Sequence, residues 1–249
     1  NASSQKRLLS ELTAALGLKQ PPQRIEIYDN SHIQGKHAVG VMVVAGPEGF
    51  QKSAYRRFNI KDAGKFATQT GDDFAMMRQV MHRRFSRAVK EDPNRLSENW
   101  PDLLLIDGGL GQLSSVYEVL NELAVSDLQV VAISKGPDRH AGRERFHIRG
   151  RPSFTLPTDS AAMHFLQRLR DEAHRYAIDT HRNKRAKAEF TSPLDAVPGI
   201  GPKRKKALLA HFGSARAVAA AGLTDLHAVD GISKKFAQQI YDWFYSDGQ

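Results

Sequence analysis

Three groups of residues in this 249-residue chain have the types and spacing to do chemistry. Asp29 ends the run "IEIYD" and Asp107 ends "LLLID", so each carboxylate stands where an apolar stretch gives way to a polar one. Arg170 and His174, in "RLRDEAH", are four residues apart and share one face of a helix. Two carboxylates brought within a few ångströms repel unless a divalent cation neutralises them. The donors are hard oxygens and the chain has no cysteine, which points to Mg2+ or Mn2+ rather than zinc. On a phosphodiester, such an ion orients water and stabilises the attacking and leaving oxygens. His174 could complete the ligand set or pass a proton to the leaving group. His32, three residues past Asp29, reads as a structural polar contact at the strand end before it reads as a second metal contact.

A competing chemistry for "DGGLGQ" is a phosphate cradle. Gly108, Gly109 and Gly111 fit neither the G-x-G-x-x-G dinucleotide fingerprint nor a Gly-Lys-Ser/Thr P-loop, and an aspartate at the mouth would repel a bare phosphate. These glycines are instead expected to keep side chains away from a metal and a nucleic-acid strand.

For the two aspartates to meet, their strands must be neighbours. Helical spacing over 4–16 stops at Gly17. Alternation in "RIEIYDNSH", then "AVGVMVVAG" (38–46) and "SAYRRFNI" (53–60), predicts a three-strand antiparallel meander. Met77, Val80, Met81 and Phe85 recur at helical spacing and read as core. The unbroken apolar run of 101–107 predicts a strand buried on both faces. A helix from Gln112, a strand over 129–135, a basic loop with a short hairpin and a long helix from Ser160 follow. The order β-β-β-α-β-α-β-(hairpin)-α predicts an α/β fold, a mixed sheet covered by helices. In such a sheet the first strand and the first strand after the helix commonly lie side by side, which would bring Asp29 and Asp107 to one edge.

Lys and Arg total 36 against 27 for Asp and Glu, a net charge of +9 that favours a polyanionic partner such as nucleic acid. The absence of cysteine excludes disulfide frameworks and fits a reducing cytoplasm. No apolar run approaches the roughly 20 residues that span a bilayer. Beyond "TSPLDAV" (191–197) the chain turns into short helices around two similar units, "AVPGIGPKRKKALLAHF" and "AVDGISKKFAQQIYDWF". Aligning Gly199 with Gly231 sets Val197 over Val229 and Ile200 over Ile232, an internal repeat of about 30 residues. Each unit is a glycine turn opening a helix, where free backbone N–H groups make an anion site. Lys203, Arg204, Lys205 and Lys206 follow the first turn, which contains Gly199 and Gly201, and Lys234 and Lys235 follow the second. These are the residue types that grip a DNA backbone without reading sequence. Arg143 and Arg145 in the basic loop are expected to face DNA as well.

"IEIYDNSH", "TGDDFAMM", "LLLIDGGLGQL" and "RLRDEAHRYAIDTHR", in this order and followed by tandem hairpins, resemble the C-terminal half of the UvrC family, a subunit of the bacterial UvrABC excinuclease. The resemblance covers nearly the whole chain. It implies an RNase H-like endonuclease domain with a mixed five-stranded sheet, followed by an all-α tandem helix-hairpin-helix domain. The corresponding boundaries are an N-terminal helix and linker over 1–22, the endonuclease over 23–190 and the DNA-binding domain over 193–249. It further implies a metal-dependent cut on the 5′ side of a lesion in double-stranded DNA, with UvrB as partner and UvrA upstream. The family's catalytic Asp-Asp-His set falls on Asp29, Asp107 and His174, and one aspartate of "GDD", Asp72 or Asp73, is implicated too. Ser233 stands where the first hairpin has Gly201, which sets the second phosphate grip apart from the family pattern. Nothing resembles the family's GIY-YIG nuclease or its UvrB-binding hairpin, and with Asn1 in place of Met the chain is expected to be part of a longer protein. The competing readings are an RNase H-like nuclease of another pathway, of the endonuclease V kind, and a non-catalytic DNA-binding module.

Overall fold

The structure is a computed structural model that describes residues 2–33, 37–60, 73–136, 143–189 and 192–246. The chain divides into two compact units, Asn1–Arg182 and Asn183–Gln249. The division falls inside the long helix Ala161–Glu189.

The first unit begins with helix α1 (Ala2–Leu16), whose Leu12 and Leu16 sit in the unit's core, so this helix is packed body and not a free linker. Strand β1 (Ile25–Ile33) pairs antiparallel with β2 (His37–Gly46). On the far side of β2 lie two short pieces, β3 (Gly49–Phe50) and β4 (Arg56–Ile60), separated by a 3-10 turn at Lys52–Ala54. The single strand expected over 53–60 is thus shorter. Helix α2 (Asp73–Glu91) leads to β5 (Leu103–Asp107), which lies parallel to β1. Helix α3 (Leu110–Glu122) then returns the chain to β6 (Val130–Ser134), parallel to β5. Strand β7 (Arg145–His147) pairs antiparallel with β6, and α4 (Ala161–Glu189) follows.

The sheet order is β3-β2-β1-β5-β6-β7, with β4 also on β2. The sheet has seven strands rather than five: the five expected strands form, β3 is an extra short piece on β2, and β7 is the short strand expected in the basic loop, bridged to Phe154. The fold is the α/β arrangement anticipated, a mixed sheet flanked by helices. Leu103, Leu104, Leu105 and Ile106 are all essentially inaccessible, which is why a parallel central strand reads as an unbroken apolar run. The stripe Met77, Val80, Met81 and Phe85 is buried as its spacing requires.

Covering both faces leaves Glu26 of β1 fully buried. Its carboxylate accepts from the Tyr28 hydroxyl and from Arg24 and Arg84, the charged partners a buried carboxylate needs.

The second unit is all-α: a turn at Pro193–Ala196 capped by Ser192, then α5 (Pro202–Phe212), α6 (Ala215–Ala219), α7 (Leu223–His227) and α8 (Lys234–Ser246). Val197 and Val229, the residues aligned by the repeat, are both buried in its core with Leu208, Ile232 and Phe236.

Candidate active site

Tyr28 of β1 lies opposite Ile106 of β5 in the parallel pairing, so the next residue on each strand is an aspartate. Asp29 and Asp107 are therefore delivered side by side by the sheet itself. They line a cleft of about 320 Å³ with Lys135, Glu144, Arg170 and His174. Asp29 lies deep, with its side chain 12% exposed, and Asp107 stands at the rim with 49%. Burial, and then the charge of Asp107, push the Asp29 carboxyl above its ordinary range, while His174 pulls it partly back. An ionised pair here is under electrostatic strain that a cation would relieve.

Helix α4 covers this edge of the sheet. Its buried Leu166, Leu169, Ala173 and Ala177 fix which face meets the strands, and the i,i+4 pair Arg170 and His174 then overhangs the carboxylates. His174 Nδ1 is 3.5 Å from Asp29 Oδ2, an approach too long for a strong hydrogen bond. Arg170 Nη2 is 2.9 Å from Asp107 Oδ1 and its Nη1 is 3.4 Å from Glu144 Oε1.

Glu144 is a residue that sequence reasoning misses. It is buried, and its other oxygen, Oε2, has no hydrogen-bond partner among the described residues. The alternation of exposed Arg145 and buried Phe146 in "ERFH" carries the signal that residue 144 points inward with 146. Arg143 and Arg145, on either side, are exposed. Asp73 opens α2 and shares a second cleft with Asp107, Gly108 and Lys135. Asp72 lies outside the described residues. His32 belongs to β1 opposite Ala38, and its side chain likewise lies outside what the structure describes.

The glycine turn is built for packing rather than for an open approach. Gly108 has φ +146°, and a Cβ there would strike Gln112 at 2.3 Å. A Cβ on Gly111 would meet the Phe74 ring at 2.7 Å. Of the three, Gly109 alone would place a Cβ in open space, and it caps α3 in extended geometry.

The donor set suits a hard divalent cation: two adjacent carboxylates with an imidazole above them, and a buried carboxylate oxygen without a partner nearby. Among the described residues, however, no three His, Asp or Glu groups are already gathered closely enough to hold an ion. Arg170 holds Asp107 instead.

In the second unit, Gly199 and Gly231 have φ of +80° and +83°, the left-handed geometry that lets each turn open a helix. Gly201 caps α5 in extended geometry. Lys203, Lys206, Lys234 and Lys235 are the cations left to solvent at the two turns. The other two expected cations have partners within the unit. Lys205 Nζ is 2.9 Å from Asp195, and Arg204 donates to the Gly199 carbonyl while lying 4.4 Å from the Phe236 ring centroid. The Ser233 hydroxyl accepts from the Phe236 amide, capping α8 and taking up one of the N–H groups a phosphate could use.

The family described as "UvrC RNAse H endonuclease domain" matches residues 13–178. The chain belongs to this family. Beyond that UvrC domain, a SAM-like helix-hairpin-helix tandem matches residues 191–242. The UvrABC system protein C of Sphingopyxis alaskensis is 60% identical over 247 residues, covering 99% of this chain and 38% of that relative. That of Rhodospirillum rubrum is 61% identical over 222 residues, covering 89% and 34%. The chain thus spans little more than a third of the curated UvrC relatives it matches. Ciona intestinalis endonuclease V, solved with inosine-containing DNA, aligns at 16% identity and a TM-score of 0.33 over 54% of this chain and 55% of its own, a likeness too loose to argue from. Among the described residues no helix is long and apolar enough to cross a membrane.

Proposed function

We propose that this chain is a divalent-metal-dependent DNA endonuclease of bacterial nucleotide excision repair, making the 5′ incision beside a lesion as part of the UvrABC system in the cytoplasm. The observation that carries the reading is the adjacent placement of Asp29 and Asp107 at the ends of two parallel strands, beneath the Arg170–His174 face of α4. In this reading residues 23–190 form the nuclease and 193–249 the duplex-binding domain, and UvrB, with UvrA upstream, supplies the damaged substrate. Lesion recognition belongs to those partners.

Asp29 and Asp107 would hold Mg2+ or Mn2+, with His174 as third ligand or as the carrier of a proton to the leaving oxygen. When bound, the ion supplies Lewis-acid stabilisation and an activated water. Arg170 and a divalent ion would compete for Asp107, and Glu144 is the partner that keeps Arg170 in the cleft once Asp107 is taken. Asp73, which lines a cleft with Asp107, would assist at the rim. Lys203, Lys206, Lys234 and Lys235, with the turns at Gly199, Gly201 and Gly231, would hold the duplex backbone, and Arg143 and Arg145 would face it from the nuclease.

The test is nicking of an end-labelled damaged duplex with UvrA and UvrB supplied. A 5′-side nick that appears with Mg2+ or Mn2+ and disappears on chelation is expected. A nick that survives complete chelation would contradict the metal reading, and a binding-only outcome in every divalent ion would favour the non-catalytic module.

A further inference from the structure

The carboxylates belong to a cross-strand row that does not end at Asp29. Asp29 lies opposite Val41, and Val41 lies opposite Arg57. Residues directly opposite in antiparallel pairs project from the same face. The row Asp107, Asp29, Val41, Arg57 therefore crosses four neighbouring strands on the active-site face. At about 4.8 Å per strand, Arg57 stands roughly 14 Å from Asp107.

Arg57 is exposed, and its guanidinium lies 4.7 Å from the ring centroid of Tyr176, two residues past His174 on α4. Tyr176 is braced edge-on by Tyr55, whose hydroxyl donates to Glu172. Arg56, the preceding residue of β4, is also exposed and donates to the Ser53 and Tyr55 carbonyls. Arg83, exposed on α2, donates to the Asn59 carbonyl at 2.7 Å and sits over the Phe58 ring. All three line one open cleft along β4, which has no further strand beyond it among the described residues.

Among the described residues, the partners of these three arginines are rings and carbonyls, and none is a carboxylate. Elsewhere in this unit surface arginines meet acids: Arg87 with Glu91, Arg95 with Asp127, Arg175 with Glu172 and Asp179. Neutral anchors hold a guanidinium in place without cancelling its charge. Arg57 is in line with the two carboxylates, whereas Arg56 and Arg83 lie across the edge of β4 on the opposite face, in a cleft also lined by Glu91 and Asp92. Among the described residues, these three anchored guanidiniums thus wrap around the sheet edge and suit a backbone that passes over it from the carboxylates.

We propose that Arg57, Arg56 and Arg83 form a phosphate track over the edge strand β4, along which the DNA backbone runs as it leaves the incision site. Arg57 thus meets the backbone within a few nucleotides of the cut. The proposal rests on the endonuclease reading above.

Its test is binding of a fluorescent damaged duplex by anisotropy, with chelator present so that nothing is cut, across a salt titration. Replacing the three arginines together (Arg56→Gln, Arg57→Gln, Arg83→Gln) is expected to reduce the slope of log K against log salt by about 2.7, near 0.9 per phosphate contact. The corresponding triple lysine variant restores the slope if charge is what matters. An unchanged slope in the glutamine variant, with unchanged melting, overturns the track. So does an equal loss in the lysine variant, which marks a structural role, or a defect seen only when UvrB is present, which marks a protein-docking surface. Nicking by Asp107→Asn is read in parallel: its persistence would refute the endonuclease site itself, whatever the arginine variants do.

Discussion

Asp107→Asn is expected to lower incision by at least about a hundredfold while leaving DNA affinity within roughly twofold of wild type. Loss of a group that merely supports a metal ligand already costs about 10–100-fold, and Asp107 would touch the ion itself. Asparagine keeps the shape and can still accept from Arg170, whose Nη2 lies 2.9 Å from Asp107 Oδ1, so the cleft should stay assembled. What disappears is the charge. The affinity should hold because Asp107 repels a phosphate backbone when no ion is bound, and its removal takes no cation from the duplex. Single-turnover nicking and anisotropy on the same preparation separate the two effects. Equal losses of incision and binding would move Asp107 from chemistry to substrate holding.

The second large effect is expected in the hairpins. Replacing Lys203, Lys206, Lys234 and Lys235 by glutamine should reduce the salt slope of duplex binding by about 3.6, four contacts at roughly 0.9 each, and weaken binding similarly for all sequences. Lys205 should behave differently from its neighbours. It is paired with Asp195, so Lys205→Gln costs a partly exposed ion pair of about 0–1 kcal/mol and little of the slope. Arg204→Ala should loosen the first turn, since it removes the donor to the Gly199 carbonyl and the stack on Phe236. A slope change spread evenly over all six cations would contradict this division.

Much of the architecture was readable because local pattern and global burial agree. "LLLID" is a parallel central strand covered on both faces, and its apolar run stops where Asp107 reaches the cleft. The meeting of Asp29 and Asp107 needed one further step, the side-by-side pairing of β1 and β5, which the strand order supplies. His174 was visible through its i,i+4 relation to Arg170. Glu144 was hidden because an acid between two arginines in a basic loop reads as solvated. The short alternation that continues into β7 sets it on the inward face with Phe146, toward Arg170. Arg57 was hidden for a related reason. Its alignment with Asp29 depends on the register of two strand pairs, and no local spacing encodes that. The glycines of "GGLGQ" misled in the opposite direction. They mark close packing, against Gln112 within the turn and against Phe74 of α2, a contact between segments far apart in the sequence. Among the cations of the first hairpin, residue type announced charge, but not that Asp195 and Phe236 would engage two of them.

The most direct measurement of the central claim is Mn2+ binding to the intact chain, followed by the paramagnetic resonance of the free ion. Wild type is expected to retain Mn2+, and Asp29→Asn and Asp107→Asn should each lose it. The pH dependence has a fixed sign. Protons compete with the ion for Asp29, and burial with the neighbouring Asp107 raises that carboxyl above its ordinary range. Mn2+ affinity in wild type should therefore fall, as pH is lowered, at a higher pH than an unperturbed carboxylate would dictate. Mn2+ held by both variants with wild-type affinity would contradict the account.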